Sequence, residues 1–92
     1  MNCLNAILEE FPDDSFLRFD GFDEAVIGVC MSHWHGEDGV LVYAFDAMIE
    51  LLVSRDGMTH EEASEFIHFN TIGAYVGTST PIVIYKPRTE EP

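Results

Sequence analysis

Apolar positions along this chain change period from block to block, and polar, Gly- or Pro-bearing breaks separate the blocks. Phe45, Met48, Ile49 and Leu52 recur at i, i+3, i+4 and i+7, the spacing of a helix with one buried face. Asp46 suits its first turn, and Arg55 falls near its last carbonyls, where a cation is favoured. Gly57 fits the left-handed residue that ends a helix, with Met58 next in line to fold back on Val53. Thr59 is then an N-cap, and Glu62 three residues later completes a capping box. Residues 55–63 are thus the short joint of a helical hairpin. In the second helix Ala63, Phe66, Ile67 and Asn70 share the expected inner face, with Glu61, Glu62 and Glu65 outward. A shorter helix precedes both. Cys3, Leu4, Ile7, Leu8 and Phe11 share one side, Asn2 is its expected cap, and Pro12 stops it.

Elsewhere the pattern is that of strands. Residues 25–31 form a continuous apolar run, which predicts a strand buried on both faces. Gly28 inside it would weaken pairing unless something packs closely there. Residues 40–44 predict a second strand, and the polar stretch between, closed by Asp38-Gly39, makes 25–44 a β-hairpin with a long loop. Phe16 to Phe19 is open between a short strand and an irregular packed segment, and Asp20-Gly21 is a turn. Gly73 and Gly77 bracket a departure from helix, Thr80-Pro81 introduces a last strand at 82–85, and 86–92 is a tail. The expected fold is a single α+β domain over 1–92: an N-terminal helix, then β-β-α-α-β. Its sheet is small and mainly antiparallel, with the helical hairpin packed on one face.

Charge narrows the range of functions. Seventeen acids against four Lys and Arg give a net charge of -13. That opposes direct binding to nucleic acid, which needs cations on the phosphates, and to an anionic membrane surface. A basic partner, or solubility alone, is left. The acids are unevenly spread. Glu9, Glu10, Asp13, Asp14, Asp20, Asp23 and Glu24 fall in one segment with Arg18 as its one base, whereas 66–89 holds no acid. No run is long and apolar enough to span a membrane, and the N-terminus lacks the basic region of a signal peptide, so cytoplasmic residence is the default. Cys3 and Cys30 are then expected as free thiols in apolar surroundings.

Three blocks carry a resemblance. They are Asp23-Glu24-Ala25-Val26-Ile27-Gly28-Val29, then Asp56-Gly57-Met58-Thr59-His60-Glu61-Glu62-Ala63, then Phe69-Asn70-Thr71-Ile72-Gly73-Ala74-Tyr75-Val76-Gly77 with Thr80-Pro81. Together they resemble a family of small uncharacterised proteins carried by bacteriophages and prophages, over residues 22–85. No activity is agreed for that family, so the resemblance carries no catalytic residue. It implies a phage origin, residence in the host cytoplasm, and a leaning towards proteins that bind and disable host machinery. The acidic N-terminal segment and the His-Trp-His loop lie outside the shared pattern.

Candidate chemistry is sparse. His33 and His35 point the same way in an extended chain, and Glu37 or Asp38 would add an oxygen ligand. No established zinc spacing accompanies them, and a polar hairpin loop with Trp34 partly packed is the plainer expectation. Asn70 on an apolar helix face is expected to be buried and bonded to the 73–77 backbone. The Gly73–Gly77 stretch lacks the lysine and context of a phosphate loop, and is expected as a turn with Tyr75 tucked into the core or a groove. Ser32 beside His33 is not triad geometry, and no carboxylate pair has a glycosidase pattern. Neither an enzyme nor a cofactor is indicated.

The seven acids of 9–24 therefore carry the leading expectation: an anionic, nucleic-acid-mimicking surface that occupies a basic groove on a host nucleic-acid-processing or defence complex of restriction or CRISPR type. The alternatives are a metal site on the His33/His35 loop, and a self-associating assembly protein that forms a homodimer through the acid-free region or the edge strand at 82–85.

Overall fold

The computed structural model describes residues 2–12, 16–31, 39–73, 77 and 79–87. Helix α1 spans Cys3–Glu10; Asn2 Oδ1 accepts from the Asn5 N–H at 2.9 Å, the expected cap. A 3-10 turn, Asp23–Ala25, leads into β1, Val26–Cys30. Strand β2 is Val40–Ala44 and runs straight into α2, Phe45–Asp56. Helix α3 is His60–Ile67, continued by a π-helical turn, His68–Ile72, and β3 is Ile82–Ile84.

The fold is α+β, with a three-stranded sheet in the order β1-β2-β3. β1 and β2 pair antiparallel as a hairpin, whereas β2 and β3 pair parallel, through Val42–Ile82, Tyr43–Val83 and Ala44–Ile84. The sheet is thus mixed, because a parallel neighbour needs a long crossover and the two helices supply one. α1 packs against β1 and the 3-10 turn, α2 against β2, the same turn and α3.

β1 departs from the expectation of burial on both faces. It is an edge strand, and Ile27 is 49% exposed. The register slips between Val26 and Gly28, so Ile27 is the extra residue of a bulge. Gly28 marks that bulge; a Cβ there would meet nothing within 4 Å, so close packing is not its reason. Gly39 is the constrained glycine: its φ is +78°, and a Cβ would lie 2.7 Å from the Cys30 carbonyl oxygen.

The helical joint is as its residues dictate. Gly57 is left-handed at φ +73°, and its N–H and that of Met58 both donate to the Leu52 carbonyl. Glu62 N–H donates to Thr59 Oγ1 at 3.1 Å, and Thr59 N–H to Glu62 Oε1 at 2.9 Å. Arg55 stands in the last turn of α2, as expected, and also reaches beyond its helix. Its Nη1 donates to the Gly21 carbonyl at 2.8 Å, and its Nε lies 3.4 Å from Asp56 Oδ1.

The core gathers Leu4 and Ile7 of α1, Phe22 and Ala25, Val26, Leu41 and Tyr43, Met48 and Leu52, and Ala63 and Ile67. Cys3, expected on the inner side of α1, is exposed; Cys30 is half-buried, and both are free thiols. Residues 16–19 form no strand. Instead Phe16 and Phe19 pack on the core as an irregular segment.

Candidate functional site

Two polar contacts tie the acidic segment to the rest of the fold, and one ion pair lies within it. Tyr43 is fully buried, and its Oη accepts a hydrogen bond from the Phe19 N–H at 2.9 Å, with the two rings 4.9 Å apart. Burial raises the Tyr43 pKa above its ordinary value; the Asp23 carboxylate adds to this, and the Phe19 N–H opposes it. Arg55 holds the Gly21 turn from α2. Arg18 Nη1 lies 3.8 Å from Asp23 Oδ2, both side chains being about half exposed, a pair of small energetic weight.

These contacts sort the seven acids. Glu9 and Glu10 are exposed at the end of α1, and Asp20 and Glu24 are exposed on the segment pinned by Tyr43 and Arg55. None of these four has a basic partner among the described residues; the two ion pairs there are Arg18–Asp23 and Arg55–Asp56. Asp23 differs, being half-buried and paired with Arg18. Asp13 and Asp14 lie outside the described residues, as do His33, His35, Trp34 and Tyr75. α1 and the 3-10 turn both pack against one another, so Glu9, Glu10 and Glu24 belong to adjoining elements.

A second surface surrounds the end of α3. Phe66 and Asn70, expected inside, face outward; Phe66 is 39% and Phe69 84% exposed. The inner line is Ala63, Ile67 and Thr71 at a strict spacing of four. Phe66 lies in α3 itself, on the flank of the Ala63–Ile67 line. Beyond Ile67 the π turn matters: donors there reach back five residues, as Gly73 N–H does to the His68 carbonyl at 3.3 Å, and the wider turn brings Thr71 onto the inner line in place of Asn70. Asn70 is exposed, and its Nδ2 donates to the Phe66 carbonyl at 3.0 Å, one turn back; residues 74–76, where its backbone partner was expected, lie outside the described residues. Met58, Glu62, Glu65, Phe66, Phe69 and Asn70 line a shallow groove of about 590 Å³.

Two smaller cavities lie elsewhere among the described residues. One of about 250 Å³ is lined by Phe45, Ser64, His68, Ile72, Val83 and Tyr85, with the Phe45 ring 5.5 Å from His68 and 6.1 Å from Tyr85. Asp46, Glu50 and His60 border another with Ile49, yet among the described residues no group of three or more His, Cys, Asp and Glu is arranged to hold a metal. No helix among them is long and apolar enough to cross a membrane. No buried side-chain polar atom there lacks a partner.

The chain has no significant match among protein-family models, curated proteins or solved structures. One surface carries exposed carboxylates, and the other is an aromatic groove with carboxylates on its rim. Sequence pattern pointed to the first. The second was missed because Phe66 and Asn70 were assigned to the inner face, whereas they lie beside the buried Ala63–Ile67–Thr71 line.

Proposed function

We propose that this chain is a small phage-type binding protein whose anionic surface engages the positively charged, nucleic-acid-binding face of a host nucleic-acid-processing or defence complex of restriction or CRISPR type. One observation carries the proposal: Glu9, Glu10, Asp20 and Glu24 are exposed, lack basic partners among the described residues, and sit on α1 and on a segment tethered to the core by Tyr43 and Arg55. Carboxylates held in place present anionic charge with less ordering cost than a loose acidic tail. They also steer a cationic partner from a distance. The family resemblance over residues 22–85 supports the phage setting.

The test is capture of host proteins on the tagged chain, with nuclease present, eluted by a salt gradient and identified by mass spectrometry. A nucleic-acid-binding protein released by salt is the expected result. Its capture should be lost on reversing Glu9, Glu10, Asp20 and Glu24 to Lys. Asp23 is left alone because it pairs with Arg18. Lysines at the end of α1 suit the helix dipole, so this variant should keep its fold. Undiminished capture by the folded variant refutes the proposal.

A further inference from the structure

The α3 groove has a definite chemistry that is independent of the acidic N-terminal segment, since none of its lining comes from α1 or the 3-10 turn. Glu62, Glu65, Phe66, Phe69 and Asn70 recur along two turns of one helix face, and Met58 closes one end. Phe69 at 84% exposure is the most exposed of the large apolar side chains among the described residues. A bare phenylalanine next to a second half-bare one is costly in water unless something covers it. The polar groups around these rings are mainly acceptors. Glu62 and Glu65 are carboxylates, and the Asn70 amide spends a donor on the Phe66 carbonyl, leaving its oxygen to accept. Among the described residues no Lys or Arg lines the groove.

We infer that this groove docks an arginine-bearing segment of a partner protein, with a guanidinium laid on the Phe66 and Phe69 rings and its charge met by Glu65. Arginine matches all of these features at once. Its stem covers apolar surface, its planar head stacks on aromatic faces, and its donors suit a carboxylate. A second copy of this chain is a poor occupant. The net charge is -13, and α3 would bring its own Glu61, Glu62 and Glu65 against the same residues of the other copy. Apolar ligands without charge would leave the carboxylate rim unused.

The experiment uses the full chain, isotope-labelled, titrated with a synthetic helical peptide bearing Arg and Leu on one face, and with a twin in which citrulline replaces every Arg. Resonances of Met58, Phe66 and Phe69 should move with the Arg peptide, and the citrulline twin should bind at least about tenfold more weakly. Phe69→Ala should weaken the Arg peptide about 30-fold, the effect of removing an aromatic hot spot. Glu65→Gln should weaken it less and flatten its salt dependence. Glu62 is not substituted, because it also completes the Thr59 capping box. Phe69 is exposed, so Phe69→Ala should keep the native spectrum, and an unchanged melting temperature confirms it. Several outcomes overturn the inference: no binding; equal binding of the citrulline twin; binding unaffected by Phe69→Ala, which would mean diffuse attraction to the acidic surface; or Phe69-dependent self-association in sedimentation, which would make a second copy the occupant.

Discussion

Tyr43→Phe removes one oxygen atom and tests how the acidic segment is anchored. The ring stays, so its core packing and its contact with Phe19, 4.9 Å between centroids, are retained. What goes is the acceptor for the Phe19 N–H, which then sits part-buried without a partner. A net hydrogen bond is worth about 1 kcal/mol, and stranding a buried donor costs about 1–3 kcal/mol. With Phe19 only part-buried, the lower end applies, and the expected loss is about 1–2 kcal/mol. For a domain of this size each kcal/mol moves the melting temperature by about 4–8 °C, so a fall of roughly 4–16 °C is expected. Urea unfolding should show a lower midpoint at an unchanged slope. Amide exchange should quicken around Phe19 to Phe22.

A second signature separates the lost hydrogen bond from a general loss of packing. Burial raises the Tyr43 pKa in the folded state. The unfolded tyrosine releases its proton near pH 10 while folded Tyr43 keeps it. The unfolded state then binds fewer protons, so this group's contribution is fully present below about pH 10 and is lost as pH rises towards the folded pKa. Tyr43→Phe should lack that component of alkaline destabilisation. Equal urea midpoints for the two proteins, with equal decline above about pH 10, would show that the Tyr43–Phe19 bond holds nothing in place.

Further outcomes follow from the same geometry. Gly39→Ala should cost more than about 2 kcal/mol and Gly57→Ala only about 1 kcal/mol, because both are left-handed but a Cβ at Gly39 meets the Cys30 oxygen at 2.7 Å whereas one at Gly57 meets nothing; paired urea curves decide it. Thr59→Ala should lose about 1 kcal/mol by chemical unfolding, and Thr59→Ser should lose little. Leu52→Ala, at a fully buried position between α2 and the rest of the core, should lose about 2–5 kcal/mol in the same assay. With a net charge of -13, added sodium chloride should raise the melting temperature, since screening relieves self-repulsion; a flat or falling response would count against that.

Local signals were legible in the sequence. Thr59, Glu62, Gly57 and Asn2 declare helix ends through interactions within a few residues, and each holds in the structure. β2 was equally plain, bounded by Gly39 on one side and the helical spacing from Phe45 on the other. What failed depends on partners distant in sequence. The apolar run at 25–31 could not show that its strand lies at an edge with a bulge at Ile27. The parallel pairing of β3 is a property of the crossover, not of Ile82 to Ile84. Arg55 keeps its expected place in the last turn of α2, but its 2.8 Å bond to the Gly21 carbonyl, 34 residues away, could not be read from that position. Phe66 was assigned inward but sits on the flank of the buried Ala63–Ile67 line, and Asn70 was assigned inward by a 3.6 period that the π turn does not keep. At the acidic segment, the pattern located the charges but could not tell Asp23, which is paired, from Asp20 and Glu24, which are not.

The cations near the acidic segment are structural ties. Arg55 binds the Gly21 carbonyl and Arg18 binds Asp23, so each spends itself on the backbone or on one acid and leaves Glu9, Glu10, Asp20 and Glu24 exposed. If display of fixed charge matters, loosening the ties should weaken partner binding even where every carboxylate is kept. Arg55→Gln tests this on a half-exposed side chain, where the stability cost is small, about 0.5–1 kcal/mol after solvent screening. The variant should stay folded, exchange its Gly21 and Phe22 amides faster, and bind its captured partner more weakly. It also gains a unit of negative charge, which by attraction alone would strengthen binding to a basic partner and quicken association. The two accounts therefore predict opposite signs. Weaker binding by the more negative variant would show that position counts, and tighter binding would show that total charge is enough.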